Sequence, residues 1–101
     1  MNFNKEMYKK NNPVYSNKDI YDKPKEYFKT LKDLIKKRFK NDLVSIVDLG
    51  CSSGAFLFYL KEYLNIKIGI GMDISDSHLN QARKVMPNFN FIESSILDLS
   101  S

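Results

Sequence analysis

Hydrophobic and polar positions along the chain alternate between two periods. From Lys25 to Lys40 the apolar residues Tyr27, Phe28, Leu31, Leu34, Ile35 and Phe39 recur at helical spacing, with Lys32, Lys36, Lys37 and Lys40 between them. This predicts an amphipathic helix that packs on something. Asn41-Asp42 breaks it, and Leu43-Val44-Ser45-Ile46-Val47 follows as a short β-branched run of the kind that forms a buried parallel strand. Ala55 to Leu64 then reads as a helix, Ile66 to Met72 as a strand, and Ser75 to Val85 as a helix that Ser75 or Asp76 caps. Pro87 stops that helix, Asn88 to Ile92 resembles a third strand, and Leu97-Asp98-Leu99 falls in the loop or helix start beyond it. Such alternation predicts an α/β domain, a parallel sheet with flanking helices and right-handed crossovers. Residues 1–24 carry Asn, Lys and Tyr, and Pro13 and Pro24 interrupt any periodicity. They are expected to form an irregular or partly helical arm that docks through Tyr8, Tyr15 and Tyr21, leaving the domain proper at 25–101.

Composition narrows the class. At 101 residues there is room for one small domain, and 43% apolar with 13% aromatic residues is enough for a real core. No apolar run approaches the ~20 residues of a membrane span, and the N-terminus lacks an uninterrupted apolar signal stretch, so a cytoplasmic protein is expected. Cys51 is the only cysteine, which excludes an internal disulfide and offers no metal-ligand spacing. The net charge of +4 is uneven: residues 1–42 hold twelve Lys/Arg against six Asp/Glu, and residues 43–101 hold four against six. Because the lysines are interleaved with Asn and Glu, a solvated face is the expected reading, with nucleic-acid contact the lesser one.

The stretch Val47-Asp48-Leu49-Gly50-Cys51-Ser52-Ser53-Gly54 lies between a strand-like and a helix-like run. Gly50 permits turn angles that a side chain disfavours, Gly54 allows close approach of the next helix, and free N–H groups at the helix start face a ligand. Nineteen residues after Gly54 the second strand ends at Asp73, the place and charge to hold ribose hydroxyls. In a dinucleotide fingerprint the glycine positions would be Gly50, Ser52 and Ala55, yet Ser52 replaces the glycine that lets backbone reach a pyrophosphate. Asp48 also sets a negative charge near that group. A ligand with positive charge and no phosphate fits better. A Walker phosphate loop is excluded, since no Gly-Lys-Ser/Thr follows at the required spacing.

These residues resemble the first motif of the class I S-adenosylmethionine-dependent methyltransferases, and Gly71-Met72-Asp73-Ile74-Ser75 resembles their second. The resemblance covers about residues 43–98 and implies a Rossmann-like sheet, incomplete at about three strands, with S-adenosylmethionine as cofactor. It implies that Asp48, Gly50, Ser52 and Gly54 line the cofactor, that Asp73 binds the ribose hydroxyls and that Ile74 packs on adenine. Phe91-Ile92-Glu93-Ser94-Ser95-Ile96 aligns with the third motif, where Ser94-Ser95 replaces Gly-Asp; Ser95 offers a hydroxyl and Ile96 an apolar face to the ring. The family's acceptor pocket and most catalytic residues come from later strands, so this chain resembles a cofactor-binding front part, with catalytic residues unknown. The expected acceptor is a small molecule, with RNA or protein acceptors open.

An incomplete sheet leaves the first strand's edge exposed and invites pairing, so a fragment, one piece of a split protein and a self-associating remnant are all consistent readings. A non-catalytic cofactor-binding module is the alternative from another class, and an NAD-dependent dehydrogenase the remote one. Cys51 reads as a small turn residue rather than a nucleophile, and His78 as a polar surface residue. Phe56, Phe58, Tyr59 and Tyr63 read as packing residues, while Tyr15 and Tyr21 are candidates to close over the cofactor.

Overall fold

A computed structural model of the chain describes residues 19–95. Tyr8, Tyr15, Ile96 and the Leu97-Asp98-Leu99 stretch lie outside the described residues. Within them the order is α1 (Asp19–Asp22), α2 (Glu26–Phe39), β1 (Leu43–Leu49), α3 (Ala55–Lys61), β2 (Asn65–Asp73), α4 (Asp76–Val85) and β3 (Asn90–Glu93). The three strands are parallel in the order β1-β2-β3, as the alternating pattern predicts.

Local chemistry sets the element ends. Helix α2 begins after Pro24 and closes with Lys36, Lys37 and Arg38 in its last turn, where cations oppose the negative end of the helix dipole. Helix α3 is shorter than the predicted Ala55–Leu64. The N–H groups of Glu62 and Tyr63 turn back to Tyr59 and Leu60 three residues earlier, tightening the end so that β2 begins at Asn65. Ser75 caps α4 by accepting from the His78 N–H at 3.4 Å. Strand β1 runs two residues beyond the predicted Val47 and carries Asp48 and Leu49 into the sheet.

Helices α3 and α4 pack on the same face, where Leu57, Leu79, Ala82 and Met86 meet Phe91 of β3, Cys51 and Tyr21 in one core cluster. Helix α2 joins this layer through Phe28, whose ring lies 4.9 Å from that of Phe56 and 5.9 Å from that of Tyr59. The other face of the sheet is bare among the described residues. A buried first strand was expected; instead Val44 is buried while Val47 is 56% and Leu49 46% exposed. The cause is topological, since both crossovers place their helices on one side only. His78 departs from expectation too. Its 1% exposure puts it in the core rather than on the surface, because it lies in the first turn of α4 beside the buried Leu79.

Gly71 shows how tightly the covered face is built. It sits in register with Phe91, and a Cβ built there would stand 2.7 Å from both Cys51 Sγ and a Phe91 ring carbon. The absence of a side chain lets the aromatic ring lie flat on β2. Gly71→Ala is expected to cost about 1–3 kcal/mol of stability through overpacking, read as a lower urea midpoint, and Gly71→Ala combined with Phe91→Leu should lose less than the sum of the two single changes.

Candidate cofactor site

The carboxyl ends of β1 and β2 meet at the glycine loop. Pairing of Asp48 with Gly71 and of Leu49 with Met72 brings the two strand ends level. The Met72 carbonyl then accepts from the Gly50 N–H at 2.7 Å and the Cys51 N–H at 2.9 Å, so the turn leaves β1 while bonded to β2. Gly50 takes φ +74°, the left-handed angle that motivated a glycine there. Ser52 takes φ +54°, a conformation that disfavours side chains by roughly 1–2 kcal/mol.

Asp73 holds that conformation in place. One carboxylate oxygen accepts from the Ser52 N–H at 2.7 Å and the other from the Ser75 N–H at 2.9 Å. Its own carbonyl accepts from the Ser94 N–H at 2.9 Å, drawing the end of β3 to the same place. At 7% exposure this carboxylate is buried, and backbone donors provide the hydrogen bonds a buried anion needs. A second lone pair on each oxygen is left to accept from a ligand.

Asp48 is the second acid. Burial pushes its carboxyl up to about 6, and the negative charge of Asp73 adds to the rise. Burial and the same two acids push the Cys51 thiol up to about 12. It is a neutral, packed thiol at neutral pH, in keeping with a turn residue and not a nucleophile.

Beside the loop lies a cavity of about 750 Å³ whose wall includes Asp48, Gly50, Ser52 and Ser53 from the loop side, and Tyr27, Phe28 and Leu31 from α2. Of the residues singled out from sequence, Asp48, Gly50 and Ser52 are on this wall. Asp73, the half-buried Ile74 and the half-buried Ser95 lie at the β2 and β3 ends of the loop. Gly54 faces away, with Met86, Ala82 and Phe91 where its Cβ would be, and serves close packing against α4. Phe56 contributes to the cavity wall as well as to packing.

Sequence reasoning passed over Ser53, whose side-chain oxygen is buried with no hydrogen-bond partner among the described residues. Its carbonyl accepts from the Tyr21 hydroxyl at 2.8 Å, and the Tyr21 ring packs 5.0 Å from Phe58. Helix α1 is thereby fastened to the glycine loop. No local periodicity marks this contact, since it links positions 32 residues apart.

No protein-family model and no curated protein matches the chain. Solved structures do. The plantazolicin methyltransferase BpumL, crystallised with a triazolic desmethylPZN analogue and SAH, superposes with a TM-score of 0.61 at 26% identity, over 95% of this chain and 34% of its own. PH0226 from Pyrococcus horikoshii OT3 gives 0.56 at 28% identity, over 92% of this chain and 40% of its own. SAM-bound CalS10, an amino pentose methyltransferase from Micromonospora echinaspora, gives 0.57 at 18% identity, over 94% and 36%. The fold is that of the class I S-adenosylmethionine-dependent methyltransferases. The chain spans 34–40% of the length of these three structures, and its three parallel strands are a partial methyltransferase sheet.

Two outcomes check this site. The folded chain holds the Asp48 proton more tightly than the unfolded chain, whose aspartate titrates near 3.8, so the Asp48 contribution to stability is greatest below pH 4 and declines as pH rises through about 6. Asp48→Asn is therefore expected to melt higher than the parent at pH 7, with the difference vanishing near pH 4 in thermal scans. Tyr21→Phe removes the donor to Ser53 and is expected to cost about 1 kcal/mol, measured by chemical denaturation.

Proposed function

We propose that this chain is the cofactor-binding part of a cytoplasmic methyltransferase that uses S-adenosylmethionine and methylates a small-molecule acceptor. The observation that carries the reading is the pair of acids, Asp48 and Asp73, set on either side of a left-handed glycine loop at the ends of two parallel strands. In a doubly wound sheet this is where ligands bind.

The residues fit the cofactor on their own chemistry. Asp48 is held partly protonated near neutral pH by burial and by Asp73, and a cationic ligand beside it would favour its ionised form. The buried Ser53 hydroxyl on the cavity wall has a hydrogen bond to offer. S-adenosylmethionine, when bound, supplies a methyl group already activated by its sulfonium. On this reading Asp48 and the backbone of Gly50 and Ser52 hold the methionine end, while Gly54 keeps the loop close to α4. Asp73 accepts from the ribose hydroxyls with the lone pairs its backbone bonds leave. Ile74 and Ser95 lie toward the adenine, with Ile96 assigned there by the motif alone. The work of the chain is then positional, aligning donor with acceptor and keeping water away.

The acceptor reading is supported by two structural neighbours, an amino pentose methyltransferase and a plantazolicin methyltransferase. Among the described residues no helix is long and apolar enough to cross a membrane, and no cluster of metal-ligating side chains occurs.

Isothermal titration with S-adenosylmethionine, its demethylated product and NAD tests the reading. Saturable binding of the first two and none of NAD is expected. Affinity for S-adenosylmethionine should fall as pH drops through about 6, where Asp48 takes up its proton, and Asp48→Asn should weaken binding about tenfold or more at pH 7, in line with a charge-assisted contact of 1.5–3 kcal/mol. Failure of a folded chain to bind either compound would leave a methyltransferase fold without the cofactor function. Binding of NAD in preference would point to hydride transfer.

A further inference from the structure

Charge is segregated between the two ends of the sheet. At the carboxyl ends of the strands, with the glycine loop, stand Asp48, Asp73, Asp76 and Glu93. At the opposite end lie the last turn of α2, the turn into β1, the start of β2 and the last turn of α4. These segments carry Lys36, Lys37, Arg38, Lys40, Lys67 and Lys84, all exposed and without an ion-pair partner among the described residues. Lys23, Lys29, Lys32, Lys61 and Arg83, by contrast, each meet an acid. The acids of the basic end are Asp42 and Glu62, and Glu62 is engaged by Lys61 at 2.6 Å.

The helix dipole favours cations in a last turn, but Lys40 and Lys67 lie in no helix. Lys40 follows α2 at φ +56° and ψ −120°, a backbone region that glycine occupies freely and lysine only under strain. Strain of this kind is retained where a side chain serves a function.

A groove of about 520 Å³ opens at the same end, lined by Lys61, Leu64 and Asn65 on one side and by Val85, Asn88 and Phe89 on the other. Lys67 and Lys84 are each one residue from a lining position. The Asn65 amide donates to the Asn41 carbonyl at 2.9 Å, which ties the turn beside Lys40 to the groove. The Phe89 ring rests on Gly69 of β2, where a Cβ would stand 2.8 Å from it. An aromatic ring, amide side chains and unpaired cations are the parts from which sites for single-stranded nucleic acid are built: they stack on a base, bond its edge and neutralise phosphates.

We propose that this basic end binds single-stranded nucleic acid, with the phosphodiester backbone along Lys40, Lys67, Lys84 and the last turn of α2 and a base in the groove beside Phe89. The seven residues of β1 and nine of β2 separate this groove from the cofactor loop, a span of about 20–30 Å. Nucleotides held here are therefore out of reach of a methyl group at the loop. An anionic bilayer is a poorer match. Membrane-surface helices set their cations beside one apolar face of a single helix, whereas these cations come from four segments around a concave groove.

The proposal does not depend on S-adenosylmethionine and is tested without it. The full 101-residue chain is titrated into fluorescein-labelled oligouridine and oligothymidine of twelve nucleotides, in 50–200 mM KCl, and followed by fluorescence anisotropy. Saturable binding of both is expected, with a log–log salt slope of about −3 for roughly four phosphates. An abasic chain of equal length should bind about fivefold or more weakly, through lost stacking. Lys84→Glu should weaken binding about fivefold or more, and Lys23→Glu, the same charge change at the cofactor end, less than about twofold. Lys40→Gly should lose affinity while its urea midpoint rises, because glycine takes the angle without strain; misfolding does not give that combination. A folded chain that binds neither oligonucleotide at 50 mM KCl overturns the proposal, as does an abasic chain bound as tightly as oligothymidine. Equal loss in Lys23→Glu and Lys84→Glu, unchanged affinity in Lys40→Gly, or capture by phosphatidylglycerol vesicles that oligonucleotide does not compete would each overturn it too.

Discussion

The rest of this structure depends on one carboxylate. Asp73 ends β2, yet its two oxygens are spent on the Ser52 N–H of the glycine loop and the Ser75 N–H at the start of α4. Removing it would free a non-glycine residue from its left-handed angle, loosen the cap of α4 and leave two N–H groups without their acceptor. The residue proposed to meet the ribose is therefore also the residue that shapes the loop. Loss of ligand binding in an Asp73 variant would mix two effects, which makes Asp48 the cleaner probe of the site.

Much of the fold was legible because burial on one side imposes a period. The apolar stripe of α2, the β-branched runs of β1 and β2 and the Ser75 cap of α4 all follow from local pattern, and each formed within a few residues of expectation. The glycine loop was legible for a different reason. Gly50 at φ +74° marks a backbone angle that few residues accept, and the acid at the end of β2 stands at a fixed distance along the chain.

What the pattern hid was decided by tertiary contact. Nothing around Tyr21 signals that its hydroxyl reaches Ser53, and a lone His78 on a polar-looking helix start gives no hint of burial beside Leu79. The exposure of Val47 and Leu49 was hidden for a related reason. Their sequence is that of a strand covered on both sides, and the composition of β1 thus belongs to a larger sheet than the described residues build. Where sequence and exposure disagree in this way, the sequence reports the environment in which the strand is meant to sit.

The two neighbouring acids have a cost that extends beyond the site. The half-buried Asp48 beside Asp73 disfavours its own ionised form, and on the proposed function a cationic ligand beside Asp48 adds stability in proportion to the logarithm of its concentration over its dissociation constant. Degradation of a marginal domain follows the fraction that is transiently unfolded. Under the proposed function, the transiently unfolded fraction of this chain falls as its cationic ligand becomes more abundant.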